Sequence, residues 1–235
     1  YYDNMRRTGA RGYLPFAVRS QTAEYIPDQF HNSNYTGYYG TGESAFTFTA
    51  TEFEASPFSR PLKTYNVGSV FRSDDKFTSY QYGTNDTGDS ILLIDRLTDP
   101  VNIYPGNTLY KTVTTNEDGA TSVVFTDNLG KIIANRSVTG DNGDSDTHYV
   151  YDKSGRLTVV IPPECSRLLR DGLPLDGSDI INRHAYRYGY DDNDRIAAKK
   201  LPDREWEYYV YDKAGRMILS QDGKQRSKSE KELTY

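Results

Sequence analysis

A seven-residue pattern, Tyr-Asp-x-x-Gly-Arg followed by an apolar residue, returns along this chain and constrains its fold more than any other feature. The clean copies are Tyr151-Asp152-Lys153-Ser154-Gly155-Arg156-Leu157 and Tyr211-Asp212-Lys213-Ala214-Gly215-Arg216-Met217. A third, Tyr190-Asp191-Asp192-Asn193-Asp194-Arg195-Ile196, has Asp194 where glycine belongs. A fourth, Thr126-Asp127-Asn128-Leu129-Gly130-Lys131-Ile132, has Thr126 in the tyrosine place and Lys131 in the arginine place. A degraded copy opens the chain at Tyr2-Asp3-Asn4-Met5-Arg6-Arg7. The four later copies start 25, 39 and 21 residues apart, so the pattern recurs without a strict period.

One copy reads as a β-hairpin. Alternation such as Tyr149-Val150-Tyr151 is a strand signal, and Asp-Lys-Ser-Gly is turn chemistry. Asp152 can accept from backbone N–H groups inside the turn, and Gly155 can take the φ > 0 conformation that closes a type I turn with a bulge. Arg156 starts the outgoing strand, Leu157-Thr158-Val159-Val160-Ile161, which is rich in β-branched residues and stops at Pro162-Pro163. The copy at 211 reads the same way, from Trp206 to Ser220. Asp194 departs from the rule, because a non-glycine residue at φ > 0 is disfavoured, although Asp tolerates it better than most.

A further hairpin is predicted where Tyr110–Thr115 and Thr121–Phe125 flank Asn116-Glu117-Asp118-Gly119-Ala120. The polar stretch from Glu164 to Asn182, with Gly172, Pro174 and Gly177, reads as an excursion from the sheet with one helical turn, at an edge or the surface. The first hundred residues are Gly/Tyr/Thr-rich without a helical period, and Ala45–Thr49 and Phe77–Gly83 read as short strands. The expected organisation is a divergent β region over 1–108 and a repeat-hairpin region over 109–235. The expected fold class is all-β, built from antiparallel hairpins. Tyrosine suits such sheets: 21 of them supply large rings whose hydroxyls stay with water or a polar partner.

Several chemistries are disfavoured. The formal net charge of −5 is spread along the chain, with no basic stripe to neutralise a phosphate backbone, so nucleic acid is not an expected partner. The longest apolar run, Ile91-Leu92-Leu93-Ile94, is far too short for a bilayer, so no membrane insertion by this segment is expected. Cys165 has no partner for an internal disulfide and reads as a small packed residue. His31, His148 and His184 are widely separated, no Gly-x-Ser-x-Gly or phosphate-loop motif occurs, and they read as surface or strand histidines. Glu52 and Glu54, two apart on a strand, would share a face as a glycosidase pair does, but solvated carboxylates are the commoner outcome. The acidic loops Asp141–Asp146 and Asp191–Asp194 could offer oxygens to calcium, yet turns give this composition anyway. Exposed tyrosines and Trp206 could stack on sugar rings, though such residues more often cover a sheet face. The chain is therefore expected to be non-catalytic, with no cofactor and no bound metal. It begins at Tyr1 without a charged-then-apolar leader and is read as part of a longer protein.

At the repeat residues the sequence resembles the YD-repeat family, which includes bacterial Rhs proteins, insecticidal toxin complex shell subunits and animal teneurins. Gly12–Ala17, Phe53–Pro57, Val160–Glu164 and Trp206–Asp212 also look like the N-terminal part of Bacteroides-type Rhs-repeat proteins. The resemblance implies a curved or spiralling sheet that in longer relatives forms a hollow shell around a C-terminal toxin or other cargo. It implies a secreted or cell-surface bacterial location, with the rest of the same polypeptide or a toxin or effector cargo as partner. A glycan or cell-surface receptor bound through exposed Tyr and Trp residues is the alternative. The residues it marks are the repeat turns: Asp127, Gly130, Tyr151, Asp152, Gly155, Arg156, Tyr190, Asp191, Arg195, Tyr211, Asp212, Gly215 and Arg216.

Overall fold

The computed structural model describes residues 5, 7, 11–13, 39–94, 101–140, 144–172 and 179–228. The opening copy of the repeat thus lies outside the described residues except for Met5 and Arg7, as do Asp141-Asn142-Gly143, Pro174 and Gly177. The fold is all-β and antiparallel, and the helices among the described residues are short. Two compact units are present, one of residues 1–82 with 112–121 and one of residues 83–111 with 122–235.

In the first unit, strands β1 (Arg11–Tyr13), β2 (Phe48–Phe53), β3 (Pro61–Tyr65) and β4 (Thr78–Thr84) pair in chain order. Helix α1 (Ser69–Ser73) joins the last two. Rings here pack under cations: Arg72 lies 5.1 Å over Phe48 and 4.6 Å over Tyr65, and Lys63 lies 4.1 Å over Phe77. Each such contact covers apolar ring surface with a cation. The strand expected at Ala45–Thr49 is corrected. Ser44–Phe46 is a 3-10 turn in which the Phe46 N–H donates to the Glu43 carbonyl, so the ladder starts only at Phe48.

In the second unit, β5 (Leu92–Leu93) and β6 (Asn102–Ile103) form a small hairpin of their own. The later strands are β7 (Tyr110–Thr115), β8 (Thr121–Thr126), β9 (Ile132–Val138), β10 (Ser145–Tyr151), β11 (Leu157–Ile161), β12 (Tyr186–Tyr190), β13 (Ile196–Lys200), β14 (Glu207–Tyr211) and β15 (Met217–Gln221). The tip of the β7–β8 hairpin, residues 112–121, groups with the first unit. From β8 onward each strand lies beside its successor in the chain.

Strand periodicity decides which face of this sheet is covered. Asp146, His148 and Val150 of β10 are buried while their alternate neighbours are half-exposed. The buried face carries helix α2 (Pro163–Arg170), which packs on β10 and is followed by α3 (Asp179–His184). Val150, Val159, Ile161, Cys165, Leu169, Ile181 and Ala185 form one core with Leu92 and Ile94. The reading of 164–182 as a surface excursion is corrected on this point. Pro163 stands at the helix start, where its missing N–H costs nothing, and Cys165, Ser166 and Leu169 turn one buried stripe inward. Burial also pushes the Cys165 thiol up to about 11, which makes it an inert packed residue. The last helix, α4 (Gly223–Ser227), is capped by Asp222 and buries no residue.

Candidate functional site: the aspartate turns and the relay between them

Each Asp turn of the repeat is built around one acidic side chain. In the clean copy, the Asp152 N–H donates to the Arg156 carbonyl at 2.9 Å and the Gly155 N–H donates back to the Asp152 carbonyl at 2.9 Å. Asp152 Oδ1 accepts from the Arg156 N–H at 2.9 Å, and Asp152 Oδ2 accepts from Arg156 Nε at 2.7 Å. The turn therefore closes on two backbone–backbone bonds and on a carboxylate of its own. The copies at Asp191 and Asp212 repeat every one of these bonds within about 0.2 Å. Asp127 keeps the backbone part, and Asn116 in the β7–β8 turn does the same with its amide oxygen. Backbone donation from Arg156 lowers the Asp152 carboxyl, the Arg195 guanidinium lowers Asp191, and backbone donation from Arg216 lowers Asp212. A register shift falls immediately before the tyrosine in all three Tyr-Asp copies, at Val150/Tyr151, Gly189/Tyr190 and Val210/Tyr211. This is the bulge that a five-residue turn closing through φ > 0 requires.

Gly130, Gly155 and Gly215 hold φ of 80°, 84° and 80°, and Asp194 takes the same place with φ 60°. Asp194 has a partner that explains its presence: its Oδ1 accepts from Arg156 Nη1 at 2.8 Å. Replacing Gly155 with valine should lower stability by about 1 kcal/mol or more, because a β-branched residue is strained at positive φ. A urea midpoint equal to that of the parent chain would refute this turn geometry.

The turns are also linked to one another, which the sequence did not disclose. The basic residue that ends one copy covers the tyrosine that opens the next. Lys131 Nζ lies 5.3 Å over Tyr151, the Arg156 guanidinium 5.1 Å over Tyr190, and the Arg195 guanidinium 4.7 Å over Tyr211. Each tyrosine hydroxyl donates back to the carbonyl just after that basic residue: Tyr151 to Ile132 at 3.0 Å, Tyr190 to Leu157 at 2.7 Å, Tyr211 to Ile196 at 2.9 Å. Arginine adds a third link. Arg156 Nη1 donates to the Asp191 carbonyl at 3.4 Å and Arg195 Nη1 to the Asp212 carbonyl at 3.3 Å. Tyrosine and aspartate thus have different duties: aspartate closes its own turn, and tyrosine ties that turn to the preceding one. Burial raises the Tyr151 and Tyr190 phenols, so both remain neutral donors at ordinary pH.

A second polar cluster lies on the covered face. Arg136 Nε and Nη2 each donate to Asp146 at 2.7 Å, and Arg136 Nη2 also donates to the Asp89 carbonyl at 2.6 Å. Asp146 is fully buried and has Arg170 Nη1 at 3.3 Å as well. Its place in the acidic loop suggested a turn residue or a calcium ligand, and the structure instead makes it the anchor of a buried ion pair. On the next inward position, His148 Nε2 accepts from the Leu92 N–H at 3.2 Å, which leaves Nδ1–H to donate to Ser166 Oγ at 2.9 Å. The Ser166 hydroxyl then donates to the Ile161 carbonyl at 3.3 Å. Burial lowers His148 to about 4, so it is neutral here and joins β5, β10 and α2.

The other candidate residues do not converge. Glu54 lies just past β2 and is claimed by Arg60 and Ser56, which hold its carboxyl at about 2. Trp206 and Tyr208 stack at 6.5 Å, but Arg187 lies 5.1 Å over Trp206 and Arg226 4.9 Å over Tyr208. Among the described residues no three His, Cys, Asp or Glu side chains are grouped to hold a metal, and no helix is long and apolar enough to cross a membrane. An open cavity of about 680 Å³ is lined by Tyr104, Lys131, Ile133, His148, Tyr149 and Tyr151 among others.

Comparison with known proteins gives a family match over part of the chain and a likeness of fold. Residues 1–84 match the family described as Domain of unknown function (DUF6443). No curated protein matches in sequence. A solved structure of TcdB2-TccC3 without its hypervariable C-terminal region is similar, with a TM-score of 0.56 and 17% identity over 94% of this chain. This chain spans 9% of that one. A Photorhabdus luminescens Tc holotoxin pore structure matches 74% of the chain at 16% identity with a TM-score of 0.47, covering 7% of the other chain. The first of these shows a shared fold.

Proposed function

We propose that this chain is a non-catalytic wall segment of a larger secreted or cell-surface Rhs/YD-repeat protein, whose sheet encloses or presents a C-terminal toxin or effector. The observation that carries this reading is the relay. Each Asp turn closes on its own carboxylate, and successive Asp turns are tied to one another through the tyrosine and the basic residue. That arrangement makes a sheet extensible by repeating one contact, which is what a wall needs and what a compact catalytic pocket does not. The likeness of fold to TcdB2-TccC3 supports it. The partner in this reading is the remainder of the same polypeptide together with its cargo. The alternative, a glycan- or receptor-binding module, draws on Trp206 and Tyr208, but guanidinium groups already sit on both rings.

Limited proteolysis of the full polypeptide that contains this segment tests the proposal. The C-terminal part is expected to resist digestion until denaturant unfolds the sheet, and to become sensitive at the same midpoint. A C-terminal part that digests while the sheet region stays intact would overturn the enclosing role.

A further inference from the structure

Two cations on the covered face stand opposite each other. Arg187 of β12 and Lys200 of β13 are paired in register, and Arg187 is also in register with the buried Val159 of β11. Directly opposed residues of antiparallel strands share a face, and like charges placed so repel. Elsewhere in this unit cations meet acids. Lys111 holds Asp89, Arg136 holds Asp146, and Lys199, which precedes Lys200 and points to the other face, holds Glu207 at 3.2 Å.

The Arg187–Lys200 pair has no such acid among the described residues. Lys200 is only 7% exposed, and its Nζ donates to the Arg204 carbonyl. Arg187 makes one long bond, from Nη1 to Asn182 Oδ1 at 3.4 Å, and its guanidinium lies 5.1 Å over the Trp206 ring. Burial lowers the Arg187 pKa, with no neighbouring acid to offset it. A lysine is rarely buried unless paired, and a second cation facing it adds to the cost. Stacking on Trp206 covers one face of the Arg187 guanidinium and leaves most of its five in-plane donors unused.

We propose that Arg187 and Lys200 form a receptor for a single carboxylate of an acidic peptide segment, with the Trp206 ring as its floor. The planar fork of Arg187 takes both carboxylate oxygens, and the Lys200 ammonium supplies the second positive charge. The bound acid thereby relieves the repulsion between the two cations. Charge complementarity also limits the occupant to one acid rather than a polyanion. Asp203 and Glu205 are exposed on the turn that follows Lys200 and repel a phosphate chain beyond the first anion. This site goes beyond the wall reading and does not depend on it.

Trp206 is the only tryptophan of the chain, so its fluorescence reports on the site. The 235-residue chain is titrated with the blocked peptide acetyl-Gly-Glu-Gly-amide, with its Gly-Gln-Gly counterpart and with inorganic phosphate. A saturable change is expected from the glutamate peptide and none from the glutamine peptide. Arg187→Gln and Lys200→Gln should each weaken the glutamate peptide about tenfold or more, since each removes a charged donor. Arg187→Lys keeps the charge without the fork and should lose nearly as much. The change from Glu to Gln in the peptide leaves the chain untouched, so that comparison holds even where a variant folds poorly. Equal responses to the two peptides, no response to either, or a glutamate response unaltered in both Gln variants would overturn the proposal. So would saturation by phosphate at a lower concentration than by the glutamate peptide, which assigns the pair to a different anion.

Discussion

Replacing Asp146 with alanine is expected to cost about 3–5 kcal/mol, because it leaves the Arg136 guanidinium buried without its counter-charge. Arg136 is itself almost inaccessible, and a guanidinium is not deprotonated in a protein, so it cannot escape by losing its proton. Asp89 remains nearby, with Oδ1 at 3.7 Å from Arg136 Nη1, but that carboxylate is already engaged by Lys111 at 2.6 Å. Asp146→Asn keeps the shape and one acceptor and should cost less. Urea unfolding of the two variants beside the parent measures both. A loss below about 1 kcal/mol for the alanine, the range of an exposed pair, would mean that water reaches this cluster in solution.

The second large effect is a loss of stability in mild acid that runs through His148. Its folded pKa of about 4 lies below its ordinary value of 6.5, so the unfolded chain takes up the proton first. The contribution is therefore complete above about pH 6.5 and is lost progressively as the pH falls toward 4, about 3 kcal/mol in all. Asp146 favours the proton, while Arg136 and Arg170 oppose it alongside burial, which is the largest cause. His148→Gln retains a side-chain acceptor for Leu92 and cannot titrate. Its stability should be flatter than the parent's between pH 7 and pH 4.5, even if its value at pH 7 is lower. The depressed carboxyls Asp152, Asp191 and Asp212 also lose their contribution in acid, but they do so in both proteins. Parallel curves for the two proteins would remove His148 as the cause.

The hairpin turns were legible because their chemistry is local. Asp152 and Gly155 are three apart, and every bond they make in the turn lies within five residues. The relay was not legible, because its partners are fixed on neighbouring strands rather than at a fixed distance along the chain. Lys131 to Tyr151, Arg156 to Tyr190 and Arg195 to Tyr211 span 20, 34 and 16 residues. Asp194 could only look like a damaged turn until Arg156 was seen beside it. Helices α2 and α3 were hidden by the Gly and Pro residues between them, and their buried stripe is too short for a helical period to register. The burial of Asp146 and His148 was not legible for a related reason. Alternation along β10 was visible, but polar residues at alternate positions ordinarily mark the wet face, and here the wet face is the one bearing Tyr149 and Tyr151.

The bulge that precedes each tyrosine also determines where this chain can change length. Between a tyrosine and the arginine five residues later, the aspartate carboxylate and the closing backbone bonds fix the spacing, so a single inserted residue would unpair the carboxylate from its donors and rotate the outgoing strand by one face. Between an outgoing strand and the next tyrosine, nothing is counted: one such gap contains two helices and still delivers Tyr190 to Arg156. Related genes that drift in length should therefore gather their insertions and deletions in those gaps, and the tyrosine-to-arginine interval should persist unaltered wherever the relay does.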